Sequence, residues 1–226
     1  MSFVVTEECR ALGLRAGAVL FQGIRVETSS AGLRAEIAQE IEAIRRRFKD
    51  AQEIRSLPEV VAYQELLRKV GVNPRREQPS VERLLSYALK RGDLPAINSL
   101  VDAYNLLSVR SLCSLGAHDV DRIAVLITLG ILKGTEPFTP LGSDREVPVR
   151  AGEFGYLDAA GRVLCRLDIL QAEFSKVTTA TTNALLIIEG TAVHSREVIQ
   201  RTFDDALTLI PRHCGGKAEV IAFPGG

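Results

Sequence analysis

The chain has 226 residues, 46% of them hydrophobic, with 28 basic residues balanced by 28 acidic ones. That content is enough to bury one core as a single unit over residues 1–226, and zero net charge excludes a general positive field for nucleic acid, DNA included. Any RNA contact has to be local, at clusters such as Arg45, Arg46 and Arg47 or Arg75 and Arg76, and the four scattered cysteines form no C-x-x-C pair for zinc or redox chemistry.

From the amino terminus, Glu7 and Glu8 stand where a secretory signal would carry cations, and no later run approaches bilayer length, so a cytoplasmic protein without membrane contact is expected. Val19 to Val26, rich in branched residues, suits an early strand. Ser29 or Ser30 can cap a helix whose apolar face is Leu33, Ile37, Ile41, Ile44 and Phe48. A second helix is expected from Pro58 to Gly71, followed by an extended loop between Asn73 and Pro79. Ser80 can cap a third helix through Lys90, and Asp93 with Pro95 opens a fourth towards Leu107. Beyond Gly116, alternating Ile123, Val125 and Ile127 suggest a strand. Tyr156 to Asp168 reads as a hairpin turning through Asp158 to Gly161, and Ala184 to Ile188 as a buried strand. Ser195 caps a last helix stopped by Pro211, and Ala218 to Phe223 closes the chain as a strand. Helices dominate the first half and strands the second, so the predicted class is α+β, with a mixed or antiparallel sheet.

Chemistry concentrates in two places. On a helix, Asn98, Asp102 and Asn105 fall at i, i+4 and i+7 on one face. Short Asn and Asp side chains weaken a helix, so three in register either face a ligand or tie the helix to neighbouring loops. Then Gly116, Ala117, His118 and Asp119 offer an imidazole beside carboxylates, either an oriented base or a loop histidine capping a turn. Glu189 ends an apolar run, and its carboxylate is expected at the rim of a sheet. The nucleophile elbow, the phosphate loop, the H-E-x-x-H pair and the dinucleotide fingerprint are all missing from the sequence. A water attack on a labile ester requires none of them, nor a metal or cofactor.

The strings Gly71-Val72-Asn73-Pro74-Arg75-Arg76, Pro79-Ser80-Val81-Glu82-Arg83-Leu84-Leu85, Leu94-Pro95 with Ile97-Asn98, and Leu100-Val101-Asp102-Ala103-Tyr104-Asn105 resemble the editing domain of the bacterial phenylalanyl-tRNA synthetase β subunit and its free-standing relatives. The Gly116-Ala117-His118-Asp119 turn does too, so the resemblance covers residues 71–190; residues 1–70 match less well. It implies a deacylase acting on mischarged tRNA in trans, by water attack, without metal, cofactor or covalent intermediate. Asn105, facing the scissile ester, and His118 would be catalytic, Glu189 would read the polar end of the misattached side chain, Asn98, Asp102 and Gly116 would bind substrate with it, and Arg75 and Arg76 would bind the tRNA. The synthetase carries a histidine where this chain has Gly116, which leaves His118 as the nearest imidazole. Tyrosyl-tRNA for phenylalanine and canavanyl-tRNA for arginine are the implied substrates. A non-catalytic tRNA-binding module of the same fold is the alternative, and protein partners are not indicated.

Overall fold

A computed structural model describes residues 1–224. The first half is helical around two strands: β1 (Phe3–Val5), α1 (Glu7–Leu12), β2 (Leu14–Gln22), α2 (Ala31–Arg47), α3 (Ala51–Arg55), α4 (Pro58–Lys69), α5 (Ser80–Arg91) and α6 (Ser99–Ser111). The second half is mostly sheet: β3 (Ser114–Asp119), β4 (Ile127–Ile131), β5 (Phe154–Leu157), β6 (Val163–Arg166), β7 (Leu170–Gln171), β8 (Asn183–Thr191), α7 (Arg196–Cys214) and β9 (Lys217–Ala222). The class is α+β, as the sequence predicts.

Two sheets carry the fold. One is antiparallel, in the order β3-β8-β2-β9; the other runs β1-β4-β5-β6-β7, with β1 parallel to β4 and the remaining pairs antiparallel. Strand β8 lies inside the first sheet, flanked by β3 and β2, so its residues are buried on both faces and its sequence reads as a continuous apolar run. Strand β2 comes from the first seventy residues yet pairs with both β8 and β9, which makes that segment part of the core.

Helix α2 follows its sequence closely. Ser30 accepts from the Leu33 amide at 3.2 Å, and Leu33, Ile37, Ile41 and Ile44 are buried. Other elements depart from expectation. The early strand lies at Leu14–Gln22 and ends where Gly23 takes a left-handed backbone (φ 67°). Short α1 and α3 depend on the caps Thr6 and Asp50. Ser80 is the first residue of α5, not its cap, because the cap position belongs to Pro79. The Ile123–Ile127 alternation is accidental, since Val125 is exposed and β4 starts only at Ile127, where it meets β1. The predicted turn at Gly116 to Asp119 is strand β3, held in register by the apolar run of β8. Helix α7 continues a turn past Pro211, as far as Cys214.

Helix α6 begins later than Asp93 and Pro95 suggest, because Asn98 supplies the cap, accepting from the Val101 amide at 2.9 Å. Asp102 then accepts from the Ile97 amide at 2.8 Å and from the Ser29 hydroxyl at 2.6 Å, joining the entry loop and the α2 approach to the helix. Replacing it removes the buried carboxylate that accepts both of these hydrogen bonds. Asp102→Ala is expected to destabilise the fold by about 2–3 kcal/mol, measured as a lower midpoint of urea unfolding at unchanged slope.

Candidate functional site

A cavity of about 430 Å³ lies between the two sheets and beneath α5 and α6, a volume within the ~300–1,000 Å³ typical of small-molecule sites. Alternation along the strands builds its inner wall. Ser114, Gly116 and His118 project from one face of β3, and Ile187 and Glu189 from the neighbouring face of β8, with Ser114 directly opposite Glu189. Tyr156 of β5 and Asp168, just after β6, close the opposite side.

Two carboxyl groups dominate the floor. Glu189 is 2% exposed, takes a hydrogen bond from the Tyr156 hydroxyl on Oε2, and has no partner on Oε1. Burial, and then the charge of Asp168, push its pKa up to about 8. Asp168 is 7% exposed; its Oδ2 accepts from the Ser80 amide at 3.1 Å and the Ser80 hydroxyl at 3.3 Å, while Oδ1 has no partner. Burial raises its pKa as well. Glu189 therefore stands in the middle of the sheet at the bottom of a cavity, not at the rim the sequence suggested: β8 runs on to Thr191, and β2 and β3 cover it.

Of the three polar residues in register on the fourth helix, only Asn105 lines the cavity. Its amide makes no side-chain hydrogen bond among the described residues and is half-buried at the wall. Asn98 and Asp102 are spent on the helix start and the entry loop, outside the lining. The register that looked like a binding face thus divides into one cavity residue and two structural ones.

His118 is 2% exposed in the cavity wall, with Nδ1 3.0 Å from the Ser175 hydroxyl. Burial lowers its pKa to about 4, so the imidazole is neutral at physiological pH and a weak base. Gly116 has an ordinary backbone, and a β-carbon built there would meet nothing within 4 Å. Its lack of a side chain therefore widens the cavity and serves no backbone requirement. Arg75 and Arg76 are exposed in the loop before α5 and lie outside the cavity lining. That loop is anchored through Glu77, which pairs with the buried guanidinium of Arg166 at 2.7 Å while Glu153 holds the same group at 2.6 Å.

The sequence alone gave no hint of Asp168, Tyr156 or Ser80. Asp168 follows Leu167, a non-glycine residue held with a left-handed backbone (φ 56°), strain that a packed site retains when its surroundings over-determine it. Tyr156 and Asp168 lie at opposite ends of the predicted hairpin; the pairing of β5 with β6 brings them together, and the packing of the two sheets sets them beside Glu189. Among the described residues, no group of His, Cys, Asp or Glu side chains is arranged to hold a metal, and no helix is long and apolar enough to cross a membrane.

Comparison with known proteins bears on this geometry. The family profile of the B3/4 domain matches residues 62–214, well over half of the chain. No curated protein matches the sequence. Among solved structures, an N-terminal fragment of the phenylalanyl-tRNA synthetase β subunit from Pyrococcus horikoshii superposes with a TM-score of 0.50 at 15% identity, over 96% of this chain and 50% of that one. The chain spans half the length of that fragment, and the likeness supports the fold. By its profile match, this chain belongs to the B3/4 domain family, the module found in phenylalanyl-tRNA synthetase β subunits.

Proposed function

We propose that the chain is a deacylase that removes a misattached amino acid from tRNA by water attack on the ester, acting in trans in the cytoplasm. The observation that carries this reading is the cavity itself, a closed floor of two carboxyl groups with uncompensated oxygens below a free amide on Asn105. The floor receives the tip of the amino-acid side chain, and Asn105 meets the ester nearer the opening. Its amide donates to the carbonyl oxygen as negative charge develops there. The water oxygen bonds to the carbonyl carbon, the bond to the ribose oxygen breaks, and that oxygen leaves with a proton. The amino acid departs as a free acid. With His118 a weak base and Gly116 offering none, the ribose hydroxyl beside the ester is the group best placed to assist the water.

Two empty carboxyl oxygens select for charge. A tyrosyl hydroxyl brings one proton to share, whereas a guanidinium brings several donors in a fixed fork that can serve both acids together. The site therefore favours an arginine-like side chain, such as a canavanyl group on arginine tRNA, over a tyrosyl group on phenylalanine tRNA. A hydrophobic pocket discriminates poorly between side chains of similar size, so a second, charged site adds selection where a first site fails. The alternative of a tRNA-binding module without catalysis gains support from one observation, the low basicity of His118 beside the bare Gly116.

The deciding experiment is deacylation of a panel of preloaded tRNAs. Selective loss of a cation-tipped mischarged pair is expected; intact RNA binding with no hydrolysis of any pair would establish the non-catalytic module instead. Asn105→Ala should lower turnover by about 100-fold or more while leaving thermal unfolding nearly unchanged, because its side chain holds no internal partner. The charge state of the floor gives a second test. Glu189 carries a folded pKa of about 8 against an ordinary 4.5. Its proton therefore stabilises the empty fold fully below the ordinary value, and that contribution is lost as pH rises through about 8. Melting curves between pH 5 and pH 9 should show wild-type stability falling across this window, with a shallower fall for Glu189→Gln and the variant the more stable of the two at pH 9.

A further inference from the structure

The cavity-lining side of α5 does not stop at the cavity. Ser80, Arg83, Leu84 and Tyr87 line it at three- and four-residue spacing, from the floor outwards, and the same spacing continues to Lys90 and Arg91 in the last turn. Arg83, Tyr87, Lys90 and Arg91 are all exposed. Tyr87 is a large aromatic side chain left 41% open to solvent at the mouth of the cavity. The helix ends at Gly92, and there an Arg45 nitrogen lies 3.3 Å from where a β-carbon would stand, so Arg45, in the last turn of α2, abuts the end of α5. None of Arg45, Arg46, Arg47, Lys90 and Arg91 makes an ion pair among the described residues, while the nearby Asp93 is taken by Arg34. Helix dipoles account for cations at each of these ends. They do not account for the convergence of both ends beyond an exposed aromatic at a cavity mouth.

We propose that this stripe is the track on which the 3′ end of the RNA lies. The terminal base stacks on Tyr87, and the phosphates that follow run past Lys90 and Arg91 to Arg45. From Arg83 to Arg91 the helix rises by about 12 Å, the length of a few nucleotides stacked at about 3.4 Å each. A chain of zero net charge needs such a local strip, because it has no overall positive field to hold a polyanion. The proposal rests on the RNA-ester reading above and extends it from the acyl group to the polynucleotide.

The test separates the two. Full-length wild type, Tyr87→Ala and the double variant Lys90→Glu with Arg91→Glu are compared for affinity to uncharged tRNA at several salt concentrations, for turnover of mischarged tRNA, and for turnover of the same amino acid esterified to adenosine, which carries no phosphate. Circular dichroism and melting confirm that each variant is folded. The charge reversal is expected to weaken tRNA binding at least ~10-fold and to reduce the slope of log affinity against log salt by about two, with hydrolysis of the adenosine ester unchanged. Tyr87→Ala is expected to raise KM at least ~5-fold for both esters, as loss of a stacked base should. Unaltered tRNA affinity and salt slope in the double variant, or no tRNA binding by the wild type, would overturn the track. A wild type that binds tRNA along the track but cleaves no ester would retire the deacylase and keep the track.

Discussion

One hydroxyl holds the site open. Tyr63 of α4 is fully buried, and its oxygen sits between the first sheet's two relevant strands, donating to the Glu189 carbonyl at 2.6 Å and accepting from the Ser114 amide at 3.0 Å. The residues it bridges are the pair whose side chains open into the cavity. A direct ladder bond would draw the strands together at this point; a phenol from a helix behind the sheet takes its place and satisfies both groups, so no buried amide or carbonyl is stranded. His194 secures the same corner. It packs edge-on against Tyr63, and its ring nitrogens bridge the Thr191 amide after Glu189 and the Leu112 carbonyl before Ser114. Helix α4, the end of β8 and the start of β3 are thereby fixed as one piece behind the cavity floor.

Against that rigid back wall, the two carboxyl groups of the floor are costly to bury. A buried ionised group without a full set of partners is driven to take up a proton, and the raised pKa values of Glu189 and Asp168 express that pressure. Elsewhere the chain solves the same problem internally: Arg166 sits between Glu153 and Glu77, and Arg162 caps Asp158 at 2.6 Å. Among the described residues, the buried carboxyl oxygens without a partner are those of the cavity floor, on Asp168 and Glu189. A fold that satisfies its other buried acids with its own arginines, hydroxyls and amides and leaves two oxygens open here has the electrostatics of a receptor for a donor-rich or cationic group.

What was legible in the sequence follows from which forces are local. The α2 face, the capping serines Ser30 and Ser195 and the hairpin through Asp158 to Gly161 are set by neighbouring residues, and they stand where the sequence places them. The start of α6 was misplaced because Asp93 and Asn98 are equally good caps in isolation; Asp93 goes instead to Arg34 and its neighbour's amide, a choice made by tertiary contact. Strand β3 was read as a turn because Gly116 and Asp119 are poor strand formers, and only pairing with β8 overrides them. In the site, Asn105, Gly116, His118 and Glu189 were visible as residues, yet their convergence was not. Asp168 and Tyr156 carry no local signal, because nothing near them in sequence is unusual and it is the packing of one sheet on the other that aims them at Glu189.

The absence of a strong base fits the chemistry proposed better than it first suggests. An ester to a ribose carries an activated carbonyl and a neighbouring hydroxyl, so water attack needs placement and modest charge stabilisation more than proton abstraction by the protein. A powerful base in an open cavity would also threaten correctly charged tRNA, whose ester is chemically the same. Discrimination then has to come from the side-chain tip, some distance from the reacting carbon, and it is at the floor that this chain places Glu189, Asp168 and the buried Tyr156. A wall offering one free amide and a bare glycine, above a floor of two carboxyl groups with unpartnered oxygens, is the division expected of the proposed site, which selects its substrate before it cuts.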